Sequence, residues 1–273
     1  MATSFMDMYK SYREFWDENL DPRNRHLLLM DGPEYFIMVL AAYMYFVSIL
    51  GPKLMKDRPP FDLKWFMYGY NTVQVVLNLY IVYEAFTEIW IPGTINVICE
   101  GVTMSYDRLP LKTAWVVHLY FLIKLLDLSD TLIMVLRKKD RQASFLHKYH
   151  HMSVLVAAWI GAAVMPGGSN ILLFGTINCS IHAVMYSYYT ATIINPDLRY
   201  CKYKRHLTEV QLIQFVVAGV HAVIGYFHPT CTFPKWAFLV FIPQDIFMVC
   251  MFSDFYIKTY LKPRNKAKKV SAE

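Results

Sequence analysis

Three charged residues, Lys124, Asp127 and Asp130, lie inside one apolar segment long enough to cross a membrane. A charged side chain near a bilayer centre costs about 2.5–3.5 kcal/mol on insertion scales, so the three together cost roughly 8–10 kcal/mol if they face lipid. They must turn inward and find partners. That requirement selects a helical bundle with a polar interior, because within hydrocarbon only helices or a closed barrel satisfy the backbone, and the apolar period here is helical. Composition agrees. The 273 residues are 56% hydrophobic and only 18% charged, against about one quarter charged in a soluble domain.

Segments of about 20 apolar residues fall near 35–51, 65–87, 113–136, 146–165, 171–194, 208–228 and 236–257. The reading is an all-α membrane protein, a single domain over 1–273, with seven transmembrane helices. Basic residues alternate with the loops. Lys53, Lys56, Arg58 and Lys64 follow the first span, Arg137, Lys138, Lys139 and Arg141 the third, and Arg199, Lys202, Lys204 and Arg205 the fifth. The tail (about 258–273) carries Lys262, Arg264, Lys266, Lys268 and Lys269, while the opposite loops hold Arg108, Lys112 and Lys235. The positive-inside rule then puts the C-terminus in the cytosol and the N-terminus across the membrane. The N-terminal segment has no apolar core of a signal peptide, so targeting falls to the first span. The link 88–112 is expected to fold over the non-cytosolic face.

The polar residues form stripes at helical spacing. Lys124, Asp127 and Thr131 share one face, with Asp130 to the side. His147, His150 and His151 share another. Asn178, His182, Met185, Tyr186 and Tyr189 make a third, and Thr208, Gln211 and Gln214 a fourth. Any one stripe can be a helix–helix hydrogen bond. Four at converging depths point to one polar chamber open toward the cytosol. HKYHH invites a metal reading, since imidazole is a common ligand. A di-iron desaturase or hydroxylase needs more histidines than the nine here supply around the chamber, whereas a single metal on His147, His151 and His182 stays open. The metal-free reading uses imidazole as nucleophile or base, with Asp127 or Asp130 orienting a ring nitrogen. Basic residues at the rim would then hold a phosphorylated carrier. A non-catalytic seven-span lipid-binding protein is the remaining class.

KLLDLSDT resembles the KxxExxDT box of the very-long-chain fatty acid elongases, the ELO family. HKYHH matches that family's HxxHH, NCSIHAVMYSYY its NxxxHxxMYxYY, and TEVQLIQF its TxxQxxQF. GPKLMKDRPPF and LRKKDRQASFLH are also similar to family stretches. Two departures stand out: Asp127 replaces the usual Glu, and His206 replaces a Tyr in KYKRHLT. The resemblance implies condensation of a long-chain acyl-CoA with malonyl-CoA in the endoplasmic reticulum membrane. The products are a 3-oxoacyl-CoA two carbons longer, carbon dioxide and CoA, and no cofactor or metal is needed.

On that resemblance His150 is expected to accept the acyl group, with His147, His151, His182, Asp127 and Asp130 around it and His151 as the competitor. Lys124, Asn178, Tyr186, Tyr189 and Gln211 are expected to line the substrate path. Arg137, Lys139, Gln142, Lys204 and Thr208 would hold CoA at the mouth, above an acyl tunnel. The expected partners are the bilayer and the reductase, dehydratase and enoyl reductase that complete the cycle; nucleic acid is excluded and homo-oligomerisation left open. Among the five cysteines, Cys99 and Cys231 alone fall in the two loops on the lumenal side, and a disulfide between them is expected against the alternative of two free thiols. The tail places Lys269 off register for a dilysine retrieval signal, so it is not expected to determine residence alone.

Overall fold

The structure is a computed structural model, and it describes residues 5–201 and 203–262. Lys202 and the tail residues Arg264, Lys266, Lys268 and Lys269, with the expectations placed on them, lie outside the described residues. Among the described residues there are nine α-helices and no strand: α1 (Phe5–Asn19), α2 (Pro33–Tyr45), α3 (Gly51–Met55), α4 (Lys64–Ala85), α5 (Arg108–Leu136), α6 (Phe145–Val164), α7 (Ser169–Ile194), α8 (Tyr203–Phe227) and α9 (Lys235–Tyr256). A π-helical turn, Phe46–Leu50, joins α2 to α3. Two more extend α4 through Trp90 and α9 through Leu261.

Long helices therefore occupy all seven places where apolar segments stood. By length and composition, four are able to cross a membrane: Pro33–Met55, Ser169–Ile194, Tyr203–Phe227 and Lys235–Leu261. The other three carry the polar load. Asn71, Gln74 and Asn78 interrupt α4, the charged triplet interrupts α5, and the histidines interrupt α6. The chain is a multi-pass membrane protein, and these interrupting polar residues are buried or half-buried.

Packing follows that division. α4 lies along α7, α5 along α6, and α8 along α9, with α7 touching α8. Where α5 and α6 pack, Phe36 stacks on Trp159 with ring centroids 5.1 Å apart, and Phe121 is fully buried beside Phe36. Between helices in lipid such rings hold the bundle through close van der Waals packing rather than through transfer from water.

One end of the bundle is capped by chain that lies outside the seven apolar segments. Between α1 and α2, the buried Arg23 guanidinium pairs with Asp21 at 2.6 Å and donates to the carbonyl of Thr103 at 2.9 Å. Asn24 Nδ2 donates to the carbonyl of Ala162 at 2.8 Å and the Asp21 backbone to that of Ala163 at 2.7 Å, satisfying two carbonyls left free at the C-terminal end of α6. The link before α5 folds across the same end, as its length suggested. Glu100 accepts from the Ser169 backbone at 3.0 Å, Gly101 donates to Thr232 Oγ1 at 2.9 Å, and Cys99 is joined to Cys231 with Cα atoms 5.3 Å apart. Gly168 starts α7 with φ +76°. A side chain there would be strained, and its Cβ would stand 2.8 Å from the Phe233 ring.

At the opposite end the basic loops meet. Lys138 Nζ donates to the carbonyl of Lys56 at 3.0 Å, and Phe61 donates to the carbonyl of Leu136 at 3.1 Å. Arg205 donates to Glu209 at 2.8 Å, which also accepts from Tyr256 at 2.6 Å, tying the start of α8 to the end of α9.

Candidate functional site

α5 sets the centre. Its spacing turns Lys124, Asp127 and Thr131 to one face, and all three are buried. Lys124 Nζ donates to Asp127 Oδ2 at 3.0 Å and stands 3.4 Å from His182 Nδ1 on α7. His182 Nδ1 is 3.6 Å from the same carboxylate oxygen. An ammonium can only donate, so Nδ1 accepts and the ring proton belongs on Nε2. His182 is thereby presented as a neutral hydrogen-bond donor. The Lys124 ammonium also lies 5.1 Å from the centre of the Tyr120 ring, a cation–π contact.

Around this centre the other stripes sort themselves. Tyr186 sits between two carboxylates, 2.7 Å from Asp130 Oδ2 and 3.1 Å from Asp127 Oδ1. Its single proton serves the nearer. Asp130 thus meets a phenol, and of the two carboxylates that could orient a ring nitrogen it is Asp127 that faces His182. Thr131 bonds Tyr43 of α2 at 2.7 Å. Asn178 accepts from Tyr120 at 3.1 Å and donates to Gln214 at 3.4 Å. Gln211 donates to the Met185 sulfur at 3.6 Å. Tyr189 lies at the margin of its stripe, 41% exposed, with its ring edge-on to Tyr186.

The histidine box occupies the first two turns of α6. Ser144 caps that helix by accepting from the His147 backbone at 3.3 Å, so HKYHH begins as helix and its first and last imidazoles share a face. The His147 and His151 rings are 4.2 Å apart, and His150 packs edge-on between Phe215 and Phe252. No carboxylate among the described residues bonds an imidazole of this box. His147 Nε2 and His150 Nδ1 are buried without a hydrogen-bond partner. His150 lies within electrostatic reach of Lys124 and Asp127, and His182 within reach of His150. No three His, Cys, Asp or Glu side chains among the described residues are arranged to hold a metal ion, which leaves the His147, His151 and His182 grouping without metal geometry.

An apolar cavity of about 720 Å³ lies between α5, α6, α7, α8 and α9, within the usual size of ligand sites. Tyr120 and Tyr149 line it toward the polar centre, the former bonded to Asn178 and the latter preceding His150. Ala218, Ala222 and Phe233 line it toward the capped end.

The rim residues stand where the basic loops meet. Arg137, Lys139 and Gln142 lie at and beyond the end of α5, the latter two exposed, and Lys204 is exposed at the start of α8. Arg137 Nη1 donates to the Met67 sulfur at 3.0 Å. Thr208 is buried one turn below Lys204 and lies 3.4 Å from the Tyr260 hydroxyl.

Sequence reasoning passed over one whole stripe. Tyr70, Asn71, Gln74 and Asn78 are buried on α4. Gln74 Nε2 donates to Asp127 Oδ1 at 2.7 Å, and Tyr70 donates to the carbonyl of Leu126 at 3.2 Å. Helical spacing of polar residues inside an apolar span was the signal, the same one that exposed the other four stripes.

Residues 28–268 match the model of the ELO, GNS1/SUR4 family. The chain is 38% identical over 248 residues to very long chain fatty acid elongase 1 of Mus musculus, covering 90% of this chain and 88% of that protein. It is 38% identical over 266 residues to very long chain fatty acid elongase 4 of the same organism, covering 97% and 83%. It is 36% identical over 262 residues to very long chain fatty acid elongase 7 of Drosophila melanogaster, covering 95% and 79%.

Proposed function

The chain belongs to the ELO, GNS1/SUR4 family, and on that premise we propose that it is a fatty acid elongation enzyme that condenses a long-chain acyl-CoA with malonyl-CoA. The observation that carries this reading is a juxtaposition. Imidazole nitrogens of His147 and His150 are buried without partners, Tyr149 and Met152 of the same stretch line an apolar cavity of about 720 Å³, and a buried Lys124–Asp127–His182 cluster stands on the facing helices α5 and α7.

The chemistry divides into two steps. A ring nitrogen of His150 attacks the thioester carbonyl, the carbon–sulfur bond breaks, and CoA leaves. The acyl group remains on imidazole, an activated carrier. Malonyl-CoA then loses carbon dioxide, and the resulting carbanion attacks the acyl carbon and displaces the imidazole. A 3-oxoacyl-CoA two carbons longer is released, and the CoA thiolate takes up one proton. His182, donating through Nε2, and the Lys124 ammonium supply positive potential where oxyanions develop. The acyl tail occupies the cavity, and its burial contributes about 0.8 kcal/mol per methylene. Arg137, Lys139, Lys204, Gln142 and Thr208 serve the phosphates of CoA at the rim.

The alternation of basic loops supports seven spans with the C-terminus cytosolic, and so a mouth open to cytosolic CoA esters. The family and that topology support residence in the endoplasmic reticulum, beside the reductase and dehydratase that process the product. The test is a condensation assay on the purified full-length protein with radiolabelled malonyl-CoA and a series of acyl-CoA lengths. Wild-type protein releases labelled carbon dioxide and forms 3-oxoacyl-CoA, and His150→Ala does neither while remaining folded. A His150→Ala variant that keeps most of its turnover overturns the assignment.

A further inference from the structure

We infer that Gln74 is a positioning residue for the reaction, acting through the Asp127 carboxylate, and that Gln74 and Asp127 are a matched pair in length. The inference rests on the condensation reading above.

Gln74 has no exposed surface. A carboxylate oxygen only accepts, so the side of the amide facing Asp127 must be its nitrogen. The other amide atom agrees, since Gln74 Oε1 accepts from Asn78 Nδ2 at 3.3 Å. Asn78 is itself anchored, its Nδ2 lying 2.8 Å from the Gln74 carbonyl one turn back. The amide is thus held from one side by Asn78 and on the other delivers its protons to Asp127 Oδ1 at 2.7 Å and Tyr70 at 3.0 Å.

This divides the carboxylate. Oδ2 serves Lys124 and faces His182, whereas Oδ1 has Gln74 and Tyr186. Tyr186 spends its one proton on Asp130, the nearer acceptor, so Gln74 is the donor that fixes Oδ1. Fixing Oδ1 fixes the plane of the carboxylate, and with it Oδ2, the Lys124 ammonium and the His182 ring. Gln74 touches no reacting atom and acts through that chain. At 2.7 Å, an acid one methylene longer cannot extend along this contact unless the amide or the carboxylate turns aside. A glutamate at 127 needs a partner that makes no demand on Oδ1.

The experiment uses full-length protein and four variants: Gln74→Met, Asp127→Glu, the two combined, and Asn78→Ala. Loss of a buried hydrogen bond to a charged group predicts about a tenfold fall in kcat for Gln74→Met, with KM for acyl-CoA within about twofold of wild type. Asp127→Glu falls comparably. The double variant exceeds either single variant in kcat, because the flexible methionine thioether places no proton on Oδ1 and yields to the longer acid. Asn78→Ala keeps the amide but loosens it, and gives a smaller loss of kcat alone; it also stands in if Gln74→Met does not fold. Unchanged kcat in both Gln74→Met and Asn78→Ala overturns the inference, as does a double variant whose loss is the product of the two single losses. A wild-type protein that does not condense malonyl-CoA overturns the functional reading instead, so the two failures are distinguishable.

Discussion

Lys124 and Asp127 form an ion pair at 3.0 Å on one face of α5, with side chains 3% and 2% exposed. Neither has water to replace its partner. Breaking a buried pair from one side leaves the other charge uncompensated, at a cost of about 3–5 kcal/mol, whereas removing both ends is far milder. Lys124→Met is expected to lower the thermal midpoint in detergent strongly, and Lys124→Met combined with Asp127→Asn to recover much of that loss. A double variant no more stable than the single one would show that the pair does not govern stability.

The cavity wall makes a second expectation. Ala222 is 2% exposed and lines the cavity near the capped end. Ala222→Phe fills that end without touching the polar centre. The preferred acyl-CoA should shorten, with turnover of the longest chains falling most and that of shorter chains retained. Competition assays between acyl-CoA lengths read this directly. Equal loss at every length would place the tail elsewhere.

Much of this arrangement was legible from the chain alone. The seven long helices stand where the apolar segments do, because only helices satisfy backbone groups in hydrocarbon. The inward faces of α5 and α7 follow from helical periodicity, and Lys124, Asp127, Asn178 and His182 are buried accordingly. What stayed illegible depended on tertiary choice. Periodicity places Asp130 beside Asp127 but cannot say which carboxylate meets His182 and which meets Tyr186. Arg23 and Asn24 look like ordinary charged and polar loop residues, and only the folded cap shows them serving Thr103 and Ala162. Gln74 carries no charge and so raises no energetic alarm in sequence, yet it makes the shortest hydrogen bond to Asp127.

The covalent tie at the capped end is a third handle. Cys99 and Cys231 are 132 residues apart in sequence, and closing a loop of that length is worth about 4–5 kcal/mol in the chain-entropy account. Reduction, or Cys99→Ser, should lower the thermal midpoint and loosen the 91–107 link, seen as faster cleavage there by an added protease. Condensation of bound substrate should persist at low temperature, because the histidines lie at the other end of α6. Mass spectrometry finding both cysteines alkylated without reduction would remove the basis for this expectation.

α9 carries a buried acid of its own. Asp245 is 5% exposed in the middle of α9 and makes no hydrogen bond or ion pair with another described residue. Its carboxyl group rests directly over Gly219 of α8, where a Cβ would collide with Oδ2. The absence of a side chain at 219 leaves room for that carboxyl group between α8 and α9. Gly219→Ala obliges the Asp245 carboxyl group to swing aside and should destabilise by about 1 kcal/mol, the low end of overpacking. Asp245→Ala removes a buried polar group that lacks a partner and should be neutral or stabilising. Combined, the two substitutions place two methyl groups where a carboxyl group met bare backbone, and the double variant should unfold close to wild type. Thermal unfolding of the three variants in one detergent decides the matter. A Gly219→Ala protein as stable as wild type, or a double variant no better than Gly219→Ala alone, would show that the two positions do not press on one another.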